Sequence, residues 1–398
     1  MSAALQSFPL QSPRTAEQVL AQVNALVDRL RARASETETL RRMHPDNLRD
    51  LTEAGVFGLC MPIDRGGYQA DEGIVAEVLA QIARGCPSTG WMCTIMTLSA
   101  ILPALLPEEA ADEVYATPNL KIAAALAPTA EAVRVDGGYR VTGSWLWNTA
   151  GVHSNWLAGA AVVLGEKDSG PRAMLIPTKE VDQQDNWRAA GMAGTATNIA
   201  TVSDVFVPAA RSVLFQDLAE GRYPGRRYSG LVYFNRPWVM WINAASAPSL
   251  LGIARGAMDC FMQTLPTRGP ITNTAWPKAA EAPLLHHQLA KAQLDLETAE
   301  MFTSKLATLF RGVLRRPPTM LERTQARAYI GQIARLSRSC VNQLFEASSS
   351  SQALLSADLQ RYWRDINVLH QHAAIQPNSG DEAYGRVLAG LSPNNDIV

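Results

Sequence analysis

Between residues 120 and 215 the chain loses the 3.6-residue apolar period found on either side, and that switch limits the folds open to it. Before it, Val19, Leu20, Val23, Leu26, Val27 and Leu30 repeat at i, i+3, i+4 and i+7 spacing, one apolar face of a helix. Thr15 with Gln18 makes a capping-box start for that helix. A second helix is expected from Pro45 to Ala54, stopped by Gly55, with further helical pieces over 71–84, 87–105 and 107–116. In the middle, Val133-Arg134-Val135 and Tyr139-Arg140-Val141 flank Asp136-Gly137-Gly138, a hairpin signal. More strands are expected at 144–148, 156–164, 172–177 and 199–207, the last closed by Pro208.

Helical signals return from about residue 237, over 243–264, 283–312, Thr319–Ala347 and 356–374. Glu322 completes a capping box with Thr319, and Arg315-Arg316-Pro317-Pro318 breaks two of these helices apart. Four long helices in succession predict a bundle. The chain thus reads as α+β: an N-terminal helical domain over 1–118, a central, β-barrel-like domain over 119–230 and a C-terminal four-helix bundle over 231–398.

Composition narrows function by exclusion. The 398 residues carry 36 Lys+Arg and 37 Asp+Glu, a net charge of −1, without the basic excess of a nucleic-acid or membrane-surface binder. Five cysteines, none in CxxC spacing, argue against a disulfide framework or structural zinc and for a reduced, cytoplasmic protein. The N-terminus has no basic region followed by an apolar core, and no run of 18 or more apolar residues suggests a membrane span. No two glycines stand two apart, so the dinucleotide fingerprint fails at its first element; GK[ST], GxSxG and HExxH are absent too. His370 and His372, at i and i+2, would lie about 200° apart on a helix and share no metal easily.

Several strings resemble the acyl-CoA dehydrogenase superfamily, and the order of helical, β and bundle segments agrees with it. Gly85-Cys-Pro-Ser-Thr-Gly-Trp91 resembles the helix start that sets a tryptophan beside the flavin. Asp136–Trp147 resembles the strand pair leading to the flavin face, and Trp187–Thr197 with Val205-Phe-Val-Pro208 is similar to the segment that meets the ring. Leu344-Phe-Glu-Ala-Ser348 and Leu359–Asp365 resemble the last helices of one branch, the two-component, reduced-flavin-dependent monooxygenases. That branch includes the oxygenase components of p-hydroxyphenylacetate hydroxylase and of a steroid-derived phenol hydroxylase.

The resemblance implies an oxygenase that takes reduced flavin (FMNH2 or FADH2) from a separate NAD(P)H-dependent reductase. With O2 it would form a C4a-hydroperoxide that hydroxylates a small or medium aromatic, phenolic or heteroaromatic, in a homotetramer. It also implies a set of site residues. Trp91 would flank the ring. Asn148, Thr149 and Ala150, where relatives read Ser-Ser-Gly, would hold its N5 edge, with Thr149 counted as catalytic. Gly194 and Thr195 would meet the flavin, and Arg268 its phosphate. Ser99, His153 and His370 would line the substrate site. In a dehydrogenase subgroup the proton-abstracting Glu falls eight residues past the Asp of the Arg364-Asp365 pair, at Ala373 here. The neighbouring His372 is the expected base, an imidazole suited to a phenol proton at neutral pH. The alternatives are an amine N-hydroxylase, an acyl-CoA dehydrogenase or desaturase, and a non-catalytic assembly subunit, the last suggested by the departures at Asn148–Ala150 and Ser99.

Overall fold

The structure, a computed structural model, describes residues 15–165, 170–229, 237–313 and 316–394. The expected lack of a leader, the 230/231 domain boundary and Arg315 of the expected break lie outside these residues. Helices α1 (Ala16–Ala32), α2 (Ala34–Leu40), α3 (Pro45–Ala54), α4 (Glu72–Gly85), α5 (Pro87–Ser99) and α6 (Glu108–Tyr115) come first. Thr15 and Gln18 make the capping box, and Val19, Val23, Leu26, Val27 and Leu30 are buried. Almost every residue of α5 is buried, as expected of a helix apolar on all sides. The stretch Pro87–Leu105 is long and apolar enough to cross a membrane, which the sequence reading did not anticipate, but 94% of it is buried inside the fold.

Seven strands form one mixed sheet in the order β5-β6-β2-β1-β3-β4-β7. They are β1 (Ile122–Val135), β2 (Gly138–Asn148), β3 (Trp156–Val163), β4 (Arg172–Pro177), β5 (Asp182–Gln184), β6 (Asn198–Pro208) and β7 (Ser212–Leu214). β1 and β2 are the expected hairpin, paired from Glu131↔Thr142 to Val135↔Gly138. β1 and β3 run parallel, and the other pairs are antiparallel. The expected separate strand 144–148 is the second half of β2, which shifts register between Val141 and Gly143. Gly143 has φ +145, and a Cβ there would lie 2.6 Å from the Ala130 Cα, so the bulge needs glycine. β5 and β7, three residues each, were too short to give a periodic signal.

After α7 (Phe215–Glu220), the long helices α8 (Trp238–Thr264), α9 (Pro283–Val313) and α10 (Met320–Glu346) pack with α11 (Asp358–Leu369). The expected bundle is therefore present, with a fifth helix, α12 (Pro377–Leu388), against α10. The helix expected over 356–374 stops at Leu369, where the ladder tightens: the N–H groups of Gln371 and His372 bond three residues back, to the carbonyls of Val368 and Leu369, and the Ala374 N–H goes to the His372 side chain. Pro377 then opens α12, and the Arg327 guanidinium of α10 takes the carbonyls of Ala373 and Ala374.

Candidate active site

Four segments meet where β2 ends: α5, the loop from Met192 to Thr197, the strand end Asn148–Ala150, and the turn after α11. The loop packs on α2 and α5, and its 3-10 turn Ala193–Thr195 comes so close that a Cβ on Gly194 would lie 2.7 Å from Thr37 Cγ2 and 3.1 Å from Ser88 Cβ. Ala150 (φ 60), Met192 (φ 53) and Ala196 (φ 46) all take the left-handed conformation, at a cost of about 1 kcal/mol or more each. The Ala150 N–H donates to the Thr195 carbonyl at 3.2 Å, tying the two strained segments together.

Threonine hydroxyls join them further. Thr149 and Thr197 are 2.9 Å apart, Thr195 and Thr197 are 2.7 Å apart, and Thr195 donates to the Met192 carbonyl at 2.8 Å. Met192 in turn donates its N–H to the buried Asp365 carboxyl of α11. Burial, more than any neighbour, raises the Asp365 pKa to about 7, and the Met192 N–H partly opposes it. Arg364 and Arg361 both bond Glu38 of α2, and their charges hold its carboxyl below the ordinary value against the opposing effect of burial. Arg361, Arg364 and Asp365 thus tie α11 to α2 and to the loop.

His372 follows α11 in the turn that leads to α12. Its ring meets the Trp91 ring edge to face, with centroids 4.9 Å apart and planes at 69°. Solvent reaches the imidazole, yet burial is the leading cause that pushes its pKa down to about 4, with Arg327 second. At pH 7 the ring is neutral. The Ala374 N–H donates to Nδ1 at 3.2 Å, so the neutral ring carries its proton on Nε2. In this tautomer Nε2 is a donor, which differs from the base expected from sequence.

The other expected residues fall in different places. Ser99 is buried at the last residue of α5. His153 accepts the Met43 N–H at Nε2, 3.1 Å away, and burial, then Arg42 and Lys121, push its pKa down to about 4. That nitrogen is therefore spent on tying the N-terminal helices to the sheet. His370 caps α11 and lines a groove of about 570 Å³ with Lys291, Arg335, Arg338 and Gln376, not with Trp91 or His372. The i, i+2 helical argument for separating His370 and His372 does not apply, because the helix has ended; the turn separates them instead.

The residues present fit a flavin. The Asn148 amide, fully buried between Gly151 and Gln183, has no partner on either polar atom among the described residues. Thr149 supplies a buried hydroxyl. Arg268 lies over the Phe261 ring at 4.4 Å and donates to the Ala347 carbonyl, Thr264 and Ser348, at the end of α10 and not among the four segments that meet at the end of β2. Sequence reasoning passed over Arg327; Met192 and Thr197 lay inside the Trp187–Thr197 string but were given no role of their own.

Comparison with known proteins agrees with this arrangement. The family described as acyl-CoA dehydrogenase, C-terminal domain, matches residues 244–377. The chain is 31% identical over 397 residues to the flavin-dependent monooxygenase oxygenase subunit HsaA of Mycobacterium tuberculosis, covering 97% of this chain and 98% of that one. The chain belongs to the flavin-dependent monooxygenase family with the acyl-CoA dehydrogenase fold. It is 28% identical to the oxygenase component of the FADH2-dependent resorcinol hydroxylase of a Rhizobium species, with 94% and 95% of the two chains covered. The crystal structure of 3-HSA hydroxylase from Rhodococcus sp. RHA1 superposes with a TM-score of 0.90 at 29% identity, over 96% of this chain and 99% of that one. This monooxygenase therefore shares both fold and chain length with the oxygenase subunits it resembles.

Proposed function

We propose that the protein is the oxygenase component of a two-component system that hydroxylates a small or medium phenolic or heteroaromatic ring. Reduced FAD or FMN would come from a separate NAD(P)H-dependent reductase. The bound flavin would supply the electrons and the position at which O2 is activated. The observation that carries the substrate class is the His372 imidazole: neutral at pH 7, edge-on to Trp91, with its proton on Nε2.

Each residue has a definite task in this reading. Trp91 closes one wall and keeps the ring of His372 in place. Nδ1 of His372 is held by the Ala374 N–H, so Nε2–H points its dipole at a substrate oxygen and favours that oxygen as phenolate. A phenolate is the more electron-rich ring, which an electrophilic oxygen attacks faster. Thr149 and Asn148 hold the polar edge of the flavin. Asn148 and Thr149 are buried, which keeps water from the polar edge of the flavin. The five cysteines are buried and form no disulfide, which suits the cytoplasm, where we place a homotetramer.

The test is aerobic mixing of the protein and chemically reduced flavin with a panel of phenols, indoles and primary amines. Ring-hydroxylated phenols are the expected products. An N-oxidised amine, with no phenol turned over, would instead support the amine N-hydroxylase.

A further inference from the structure

The structure assigns a fixed polarity to the hydrogen-bond chain Met192–Thr195–Thr197–Thr149, and we propose that this polarity makes the site select reduced over oxidised flavin. The inference rests on the flavin reading above and names the residues that would enforce the choice.

A threonine hydroxyl has one proton and two lone pairs, and a carbonyl has only lone pairs. The hydroxyl of Thr195 lies 2.8 Å from the Met192 carbonyl, so Thr195 must donate there. Its proton is then spent, and across the 2.7 Å contact Thr197 must donate to Thr195. By the same step, across 2.9 Å, Thr149 must donate to Thr197. Thr149 therefore turns its proton inward and keeps only lone pairs for whatever lies beyond it.

Two features keep the chain from reversing. The Met192 carbonyl is an over-determined anchor, since it also accepts the Thr195 N–H at 3.2 Å and Trp187 Nε1–H at 2.9 Å. The left-handed backbone of Met192 and the bond from its N–H to Asp365 hold that carbonyl in direction. Water has little access, because Thr195, Thr197 and Thr149 are 1%, 7% and 6% exposed.

N5 of a reduced flavin carries a hydrogen and donates. N5 of an oxidised flavin has a lone pair and accepts. An acceptor-only Thr149 matches the first and repels the second. Thr195 and Thr197 are then positioning residues, which act on the flavin only through the hydroxyl of Thr149.

The experiment measures dissociation constants of oxidised and, anaerobically, of reduced FAD and FMN for the unmodified protein, Thr197→Val and Thr197→Ser. Valine keeps the shape and removes the link, which frees the Thr149 hydroxyl to rotate and donate. The preference for reduced flavin should then fall roughly 5- to 150-fold, the range expected for one buried hydrogen bond, and Thr197→Ser should retain it. A folded Thr197→Val with an unchanged ratio would overturn the inference. Equal weakening towards both redox states, or equal loss in Val and Ser, would also overturn it, leaving Thr197 a packing residue and the flavin reading intact. Failure of the unmodified protein to bind either flavin would overturn the flavin reading itself, and the inference with it.

Discussion

The rings of Trp91 and His372 meet edge to face at 4.9 Å, although one residue lies on the fifth helix and the other in the turn after the eleventh. That contact brings the first and last thirds of the chain to one wall. It also directs the free nitrogen of His372, because the Ala374 N–H occupies the other one. Such aromatic pairs contribute about 0.5–1.5 kcal/mol beyond the area they bury. The pair can thus set the orientation of His372 without dominating stability.

Replacement of His372 separates donor from base. His372→Ala should slow hydroxylation about 100- to 1000-fold, as loss of an oxyanion donor does. His372→Gln places an amide N–H near the position of Nε2, cannot act as a base at neutral pH, and should stay within about tenfold of the unmodified enzyme. The measurement is single-turnover product formation with a phenol. A Gln variant as slow as Ala, together with recovery of the Ala variant above the pKa of the phenol, would make His372 the base instead.

His153 should make the protein lose stability on acidification. Its pKa falls from 6.5 to about 4 on folding, so the unfolded chain takes up a proton that the folded protein refuses. Stability from this group is complete above pH 6.5 and is lost as pH falls from there towards 4, by about 2–3 kcal/mol at most. His153→Gln keeps an acceptor for the Met43 N–H without a titrating proton. Urea midpoints of the variant should change less between pH 7 and pH 5 than those of the unmodified protein. Parallel changes would remove His153 as the cause.

Asp365 should act with the opposite sign. Its pKa rises from 3.8 to about 7 on folding, so the folded protein keeps a proton that the unfolded chain releases. The contribution of this group to stability therefore falls as pH rises from about 4 to about 7. Asp365→Asn can still accept the Met192 N–H and has no charge to bury. Its stability relative to the unmodified protein should improve between pH 5 and pH 8, read from unfolding midpoints. A variant that does relatively worse at pH 8 would place a net favourable charge at Asp365.

The sequence made legible what local pattern controls. The buried face of α1, the β1–β2 hairpin and the long helices of the bundle follow from spacing and capping residues that sit beside one another. The end of α11 did not show, because the turn after Leu369 is held by contacts from far off in the chain, Arg327 on the carbonyls of Ala373 and Ala374 and Trp91 on the ring of His372. The threonine chain was hidden for a similar reason. Its direction comes from the Met192 carbonyl, held in a left-handed conformation that no local propensity favours for methionine. Thr195 was legible through resemblance, whereas the role of Thr197 depends on Thr149, 48 residues earlier. The separation of His370 from His372 was read from helix geometry and arises from a turn.

Oxygen transfer from O2 is the central claim, and isotope labelling tests it most directly. The protein, its flavin kept reduced by an added reductase with NADH, would turn over a phenol under 18O2, and the product would be weighed by mass spectrometry. One 18O atom per hydroxylated product, with none incorporated from labelled water, is the predicted result. Product without 18O, or a protein that holds oxidised FAD tightly and reduces it with an acyl-CoA thioester while leaving phenols untouched, would contradict the account.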